Sequence, residues 1–190
     1  MAHVGQQLEN PVTGEKLTFV ETAESTDGER VVVDLELAAG GKVPGVHIHP
    51  KQEEKFEVLA GTMKFRYGMK KIVAGAGETV VVPAGKVHDF ANAGNVPAHV
   101  RVTISPALKM EQMFETNVAL AKEGKVMKSG MPKPLELALF VGEFKDEVRP
   151  PFPPPFVVRA LLAPLAAIAK RRGSNCRYQP ADCAPVAVGA

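Results

Sequence analysis

Hydrophobic and polar residues alternate in short segments between residues 16 and 105, and glycine, proline or asparagine separates the segments. A repeat of two residues is that of a β-strand, because successive side chains point to opposite faces. Many short strands at close spacing favour an all-β barrel or sandwich. The predicted strands cover residues 16–21, 30–38, 46–49, 54–59, 62–67, 71–73, 79–82, 87–92 and 98–105.

The pattern changes to a helical repeat after residue 105. Residues 107–123 are predicted to form a helix that starts after Ser105-Pro106 and ends at Gly124. An apolar stripe should pack it on the strands; its members are Met110, Met113, Phe114, Val118 and Ala121. A shorter helix is predicted at 134–143. The proline-rich stretch 149–156 is expected to be an extended spacer.

A third helix is predicted at 156–172, with a kink at Pro164. It has three interpretations, of which we favour packing on the strands or on a second subunit. The other two are binding to a membrane surface and covering a pocket as a lid. The chain is thus divided into a strand-rich domain at 1–106, a helical extension at 107–173 and a disordered tail at 174–190.

Composition narrows the functional classes. The net charge is +2, and the absence of tryptophan with only two tyrosines argues against nucleic-acid binding. The sequence contains no run of 18 apolar residues, so no membrane-spanning helix is predicted. The first residues lack a signal-peptide pattern, and a cytoplasmic location is expected. The two cysteines, Cys176 and Cys183, are expected to be free thiols.

Three histidines and one carboxylate are the candidate functional residues. His47 and His49 are two residues apart on a predicted strand, so their imidazoles share a face. Glu54 begins the next strand, and His88 follows the Pro83–Gly85 turn. This nitrogen and oxygen set suits one divalent Fe, Mn, Ni, Cu or Zn ion, and the ligands alone do not choose among them. Four ligands leave up to two positions of an octahedral ion open.

The same alternation selects residues around this site. Phe56 and Val58 share the face of Glu54, and Phe90 shares that of His88, so all three either line a metal pocket or belong to the core. Arg101 is a candidate anchor for an anionic substrate, although an outer, solvated position is the favoured interpretation.

Two segments resemble the sequence motifs of the cupin family. Residues 41–61 are similar to Gly-x5-His-x-His-x4-Glu-x6-Gly, and residues 77–92 to Gly-x5-Pro-x-Gly-x2-His-x3-Asn. The ten matching positions are Gly41, His47, His49, Glu54, Gly61, Gly77, Pro83, Gly85, His88 and Asn92. The resemblance implies a double-stranded β-helix, or jelly-roll, barrel. It also implies that His47, His49, Glu54 and His88 bind the metal and that the protein is a homodimer.

Two functional hypotheses follow from the resemblance. The first is a metal-dependent enzyme for a small molecule, with dioxygenase or other oxidoreductase chemistry on an enolic, phenolic or carboxylate substrate preferred to isomerase or lyase chemistry. In this hypothesis Glu54 also serves as a catalytic base if it leaves the metal. The second is a small-molecule binding protein without turnover. A redox-active metal with oxygen uptake favours the first.

Overall fold

A computed structural model of the protein describes residues 2–43 and 45–174. Two antiparallel sheets of ten strands precede three helices. The strands are β1 (Gln7–Glu9), β2 (Lys16–Glu21), β3 (Val31–Leu37), β4 (His47–Ile48), β5 (Glu53–Ala60), β6 (Thr62–Tyr67), β7 (Lys70–Gly75), β8 (Thr79–Val82), β9 (Val87–Asn92) and β10 (Ala98–Ser105). The helices are α1 (Met110–Lys122), α2 (Pro134–Glu143) and α3 (Pro155–Arg171). The mainly β fold with C-terminal helices agrees with the prediction.

The two sheets face each other across a packed aromatic cluster. The larger sheet has the order β1-β2-β3-β10-β5-β8 and the smaller one the order β4-β9-β6-β7. Phe56 of β5 in the larger sheet contacts Phe65 and Phe90 of the smaller sheet, with ring centroids 5.1 and 4.8 Å apart. These three rings are nearly inaccessible to solvent. Burial of aromatic surface therefore holds the sheets together.

Strand alternation is confirmed where it is clearest. Val31, Val33, Leu35 and Leu37 of β3 are all buried, as are Ala98, Val100, Val102 and Ile104 of the neighbouring β10. The turn from β5 to β6 requires glycine at Gly61, where φ is +79° and a Cβ atom would lie 2.8 Å from the Cα of Ala98. No larger residue fits that turn without moving β10.

Helix α1 begins three residues later than predicted, at Met110. Leu108 has a φ of +47°, which a right-handed helix cannot contain, and the Ser105 hydroxyl donates to the Glu29 carbonyl instead of capping the helix. The predicted stripe on α1 is confirmed as a packing face: Met110, Met113, Val118 and Ala121 are buried and Phe114 packs against the core.

The helical extension packs against the strands. Arg149 forms an antiparallel bridge with Ile48 of β4, in which each backbone N–H donates to the carbonyl of the other residue. Helix α2 covers the predicted residues 134–143, while α3 begins within the proline-rich stretch at Pro155, continues through Pro164 and packs against α2. Among residues 2–43 and 45–174, no helix has the length and apolarity needed to cross a membrane. Cys176, Cys183 and the predicted disordered tail from residue 175 lie outside the described residues.

The aromatic cluster gives a stability prediction. Phe56→Ala should lower the free energy of unfolding by about 3–5 kcal/mol, because Phe56 is fully buried and its removal leaves a cavity. The control is Met69→Ala, whose side chain is fully exposed between β6 and β7 and whose loss should change stability by less than about 0.5 kcal/mol. Chemical denaturation measures both, and equal effects of the two variants contradict the assignment of Phe56 to the core.

Candidate metal centre

Strand register brings the four predicted metal ligands together between the sheets. His47 and His88 are direct cross-strand partners in the β4–β9 pair of the smaller sheet. His49 follows β4, and Glu54 reaches the same point from β5 of the larger sheet. One ligand atom from each residue lies within 4.8 Å of the others, and we call this group the metal centre. The centre is therefore a product of the sheet-to-sheet packing.

The three imidazoles surround the Glu54 carboxylate. His88 Nε2 lies 2.7 Å from Glu54 Oε2, and His49 Nε2 lies 3.3 Å from Glu54 Oε1. His49, Glu54 and His88 are almost completely buried, whereas His47 is more exposed. A buried carboxylate requires compensating partners, and His88 Nε2 provides a hydrogen-bond contact here.

Backbone carbonyls fix the orientation of all three rings. The Nδ1 atoms of His47, His49 and His88 lie 3.1, 2.5 and 3.0 Å from the carbonyl oxygens of Gly45, Glu147 and Lys86. An Nδ1–H that donates to a carbonyl leaves Nε2 with its lone pair, which is the tautomer that coordinates a metal.

An orphaned nitrogen tests whether these residues fit a metal ion. The buried Nε2 of His49 has no hydrogen-bond partner in the described part of the chain. Unsatisfied buried polar atoms are rare, and one directed at a carboxylate and two more imidazoles is explained by a cation held among them. The donor set fits a divalent transition metal, and it does not select Fe, Mn, Ni, Cu or Zn.

The electrostatics of the centre favour the protonation states in which carboxylate and imidazole groups bind a metal. Burial alone would raise the pKa of Glu54, but the charges and hydrogen bond of the three histidines outweigh it and lower this pKa to about 2. Burial lowers the pKa of His47 to about 4, so its imidazole is neutral at physiological pH. For His88 the effect of burial is outweighed by Glu54, which raises its pKa. A divalent cation would replace that proton as the positive partner of the carboxylate.

A cavity of about 390 Å³ opens directly beside the metal centre. His47, His49 and Glu54 border it, while most other lining residues are apolar. From the sheets these include Leu17, Val33, Leu35, Phe90, Val102 and Ile104. From the helical extension they include Met110, Met113, Phe114, Met131, Leu137 and Phe140, with Val158, Leu161 and Leu162 of α3. The extension thus forms a large part of the wall, and α3 contributes to it.

The structure separates the other predicted site residues. Phe90 borders the cavity, but Phe56 and Val58 do not, because they pack into the core away from it. Arg101, the candidate anion anchor for which an outer position was favoured, is not among the residues that line the cavity. Its guanidinium makes two hydrogen bonds of 2.8 and 2.9 Å to Asp34 on the opposite face of the sheet from Val102, and this pairing holds the pKa of Asp34 below its usual range.

Glu147 is a site residue that the sequence did not reveal. Its carbonyl accepts the hydrogen bond from His49 Nδ1, and its buried carboxylate accepts one from the Lys109 backbone N–H at the start of α1. No periodic pattern or motif marks a residue that acts through its backbone carbonyl. Asn92, the last motif position, is a structural residue whose side-chain amide donates to the carbonyls of Leu37, Ala38 and Val96.

A family model matches most of the strand-rich part of the chain. Residues 33–105 match the family model Cupin_2, described as a cupin domain. No curated protein matches the chain. The helical extension lies beyond the matched residues, so the family model says nothing about the walls that the extension contributes to the cavity.

Several solved structures are similar to part of the chain. KdgF from Halomonas sp. is 17% identical with a TM-score of 0.49, covering 56% of this chain and 93% of that one. A predicted oxalate decarboxylase from Thermotoga maritima is 21% identical with a TM-score of 0.47, covering 54% and 92%. The Cnp3 cupin domain of Schizosaccharomyces pombe is 15% identical with a TM-score of 0.46, covering 56% and 72%.

The metal centre predicts a specific loss of metal. Protein purified without a histidine tag should contain near-stoichiometric transition metal by elemental mass spectrometry, and His47→Ala/His88→Ala should contain almost none. His99→Ala is the matched control, because His99 is partly exposed and lies near Asp34 outside the centre. The single variant His47→Ala removes the ligand that is not paired with Glu54, so it tests binding with little risk to folding. Metal retention by both ligand variants, or no metal in the wild type after reconstitution, would falsify the ligand assignment.

Proposed function

We propose that the chain, whose residues 33–105 match a cupin domain model, is a member of the cupin superfamily and a metal-dependent enzyme acting on a small molecule. The preferred chemistry is that of a dioxygenase or another oxidoreductase, on an enolic, phenolic or carboxylate substrate. We also infer that the two sheets form the double-stranded β-helix barrel of this superfamily, with His47, His49, Glu54 and His88 as metal ligands.

One observation carries the proposal: the metal centre borders a largely apolar cavity. A purely structural metal site has no need of an adjoining cavity, whereas a catalytic site needs room for a substrate beside the ion. The volume of about 390 Å³ lies within the range of about 300–1,000 Å³ that is typical of small-molecule pockets.

The histidines, the apolar walls and Glu54 have different roles in this proposal. When bound, a transition metal supplies Lewis acidity or, if it is redox-active, the capacity to react with oxygen. The three histidines orient toward that position through their Nδ1 contacts to backbone carbonyls. The apolar walls exclude water and so strengthen charge interactions at the centre. Glu54 is ionised at neutral pH, and its pKa of about 2 supports a ligand role more strongly than a role as general base.

Two alternatives use the same residues. A redox-inert metal such as zinc in the centre would favour isomerase or lyase chemistry, in which the ion polarises a substrate oxygen. Ligand binding without product would favour a small-molecule binding protein. The cavity supports all three, since each requires a small organic molecule next to the metal centre.

Oxygen consumption tests the preferred chemistry. The protein is reconstituted separately with Fe(II), Mn(II), Ni(II), Cu(II) and Zn(II). With an enolic or phenolic substrate, at least one of the redox-active forms should consume oxygen, and the zinc form should not. Glu54→Gln should reduce this rate by at least about tenfold, because the amide is a weaker ligand and cannot accept a proton. Glu53→Gln is the control, since Glu53 is exposed and adjacent in sequence. No oxygen uptake, together with metal-dependent conversion of a substrate by the zinc form, would move the assignment to an isomerase or lyase.

We further propose a homodimer. Exposed apolar side chains on and beside α3 support it: Phe152, Phe156, Leu161 and Ile168 are 80%, 73%, 63% and 41% exposed. Strand β1 at one edge of the larger sheet offers a second surface, in line with pairing through sheet edges and N-terminal strands.

Light scattering measures the assembly state. We expect the mass of two chains at micromolar concentration, and Phe156→Ser/Leu161→Ser should shift it towards one chain if α3 forms the contact. The control is Val96→Ser, which removes an apolar side chain that is 54% exposed in the loop between β9 and β10. A mass of one chain for the wild type excludes the dimer.

A further inference from the structure

We propose that the cavity binds an elongated, largely apolar organic molecule that presents a hydrogen-bond donor to Glu15, at the end of the cavity remote from the metal centre. The inference rests on the proposed metal-dependent function for the other end of the molecule, where a ligand oxygen meets the centre. Glu15 then becomes a specificity-determining residue. The cupin family match begins at residue 33 and does not include it.

Strand register shows that the cavity is long. Ile104 of β10 pairs with Glu54 on one side and Val31 on the other, so these residues mark the row of the metal centre. Leu17 of β2 pairs with Leu35 of β3. Val31 and Leu35 are four residues apart along β3, a distance of about 13 Å at the rise of a strand. Both Ile104 and Leu17 line the cavity, which therefore spans at least this length.

Glu15 lies beyond Leu17 at the far end. It precedes β2, and two residues at the rise of a strand place it a further ~6 Å from the row of Glu54. The side chain of Glu15 borders the same cavity as Glu54. One cavity thus has an acidic group at each end and apolar residues between them.

Helix α1 independently indicates that the cavity extends away from the metal centre. Its start is tied to the metal centre, because Glu147 accepts hydrogen bonds from both the Lys109 N–H and His49. Asn117 follows Lys109 by eight residues, about 12 Å along a helix. Asn117 also lines the cavity. The helix wall and the strand wall therefore extend over similar lengths from the centre.

Helix α1 also runs back along β2 towards Glu15. Glu111, near its start, accepts a hydrogen bond from the Ala23 backbone N–H just beyond the end of β2. Phe114, one turn later, contacts Phe19 within β2, with ring centroids 6.4 Å apart. Continuing in that direction, the helix reaches Asn117 at the end of the cavity where Glu15 lies. The two polar side chains border the same remote end.

The carboxyl group of Glu15 has no partner of its own. Within residues 2–43 and 45–174, this carboxyl group forms no hydrogen bond or ion pair with another residue. Burial raises its pKa to about 7. A partly desolvated carboxyl group without a partner is unfavourable, and a donor on a ligand relieves that cost. Arg149 also borders the cavity, and its backbone bridges Ile48 at the edge of β4.

Binding of end-substituted fatty acids tests the inference. Decanoate, ω-hydroxydecanoate and ω-aminodecanoate offer the same carboxylate and apolar body with different far ends. Calorimetry on the full chain, loaded with Zn²⁺, should show about tenfold tighter binding of the ω-hydroxy acid than of decanoate, the value of one good hydrogen bond. Glu15→Leu should remove or reverse this preference. Glu15→Gln should keep the preference for the hydroxyl group and lose any preference for the amine.

The control and the metal-free protein separate the possible failures. Glu9→Leu removes an exposed carboxylate on β1, outside the cavity, and should leave the preference unchanged. Metal removal should weaken binding of all three acids while the Glu15-dependent ratio persists; affinities that do not respond to metal count against the proposed function alone. An unchanged preference in Glu15→Leu, or no binding of any of the acids, overturns the inference about the cavity.

Discussion

The constraint on which the site depends is the burial of one negative charge. Glu54 is ionised, almost fully buried, and attached to the larger sheet, whereas its imidazole partners belong to the smaller one. A buried carboxylate without partners would strongly destabilise the fold, so the two sheets must pack in the one position that brings Glu54 to the imidazoles. The aromatic cluster of Phe56, Phe65 and Phe90 supplies the packing that keeps the sheets in this position. Stability and the metal centre thus depend on the same sheet-to-sheet contact.

Strand periodicity and motif spacing were enough to predict the β-rich fold and four residues that the fold brings together. Both signals are local: alternation sets which side chains share a face, and the His-x-His spacing sets two ligands on one strand. The start of α1 was misplaced because a positive φ at Leu108 has no signature in a leucine side chain. Arg101 was assigned to the pocket as an alternative, and its true partner, Asp34, lies 67 residues earlier in the chain.

The helical extension shows where sequence reasoning ends. Its hydrophobic faces predicted packing, but not that Met110, Met131 and Phe140 would complete the wall of a cavity beside the centre. Such contacts depend on the path of a long connection, which local patterns do not encode. Methionine side chains are flexible and polarisable, so this wall can adapt its shape to an apolar molecule more readily than β-branched residues would. The sheets therefore supply the chemistry, and the extension contributes much of the shape.

The hydrogen bond from His49 to the carbonyl of Glu147 links these two parts. It joins a predicted metal ligand to the segment that bridges β4 and contacts the start of α1, so under the proposed function metal binding and packing of the extension would be energetically coupled. Such coupling is reciprocal: a metal bound at the centre would stabilise the packed extension, and the packed extension would raise the affinity for the metal by the same factor. Residues 147–149 at the edge of β4 are thus the place where the candidate centre and the extension would influence each other.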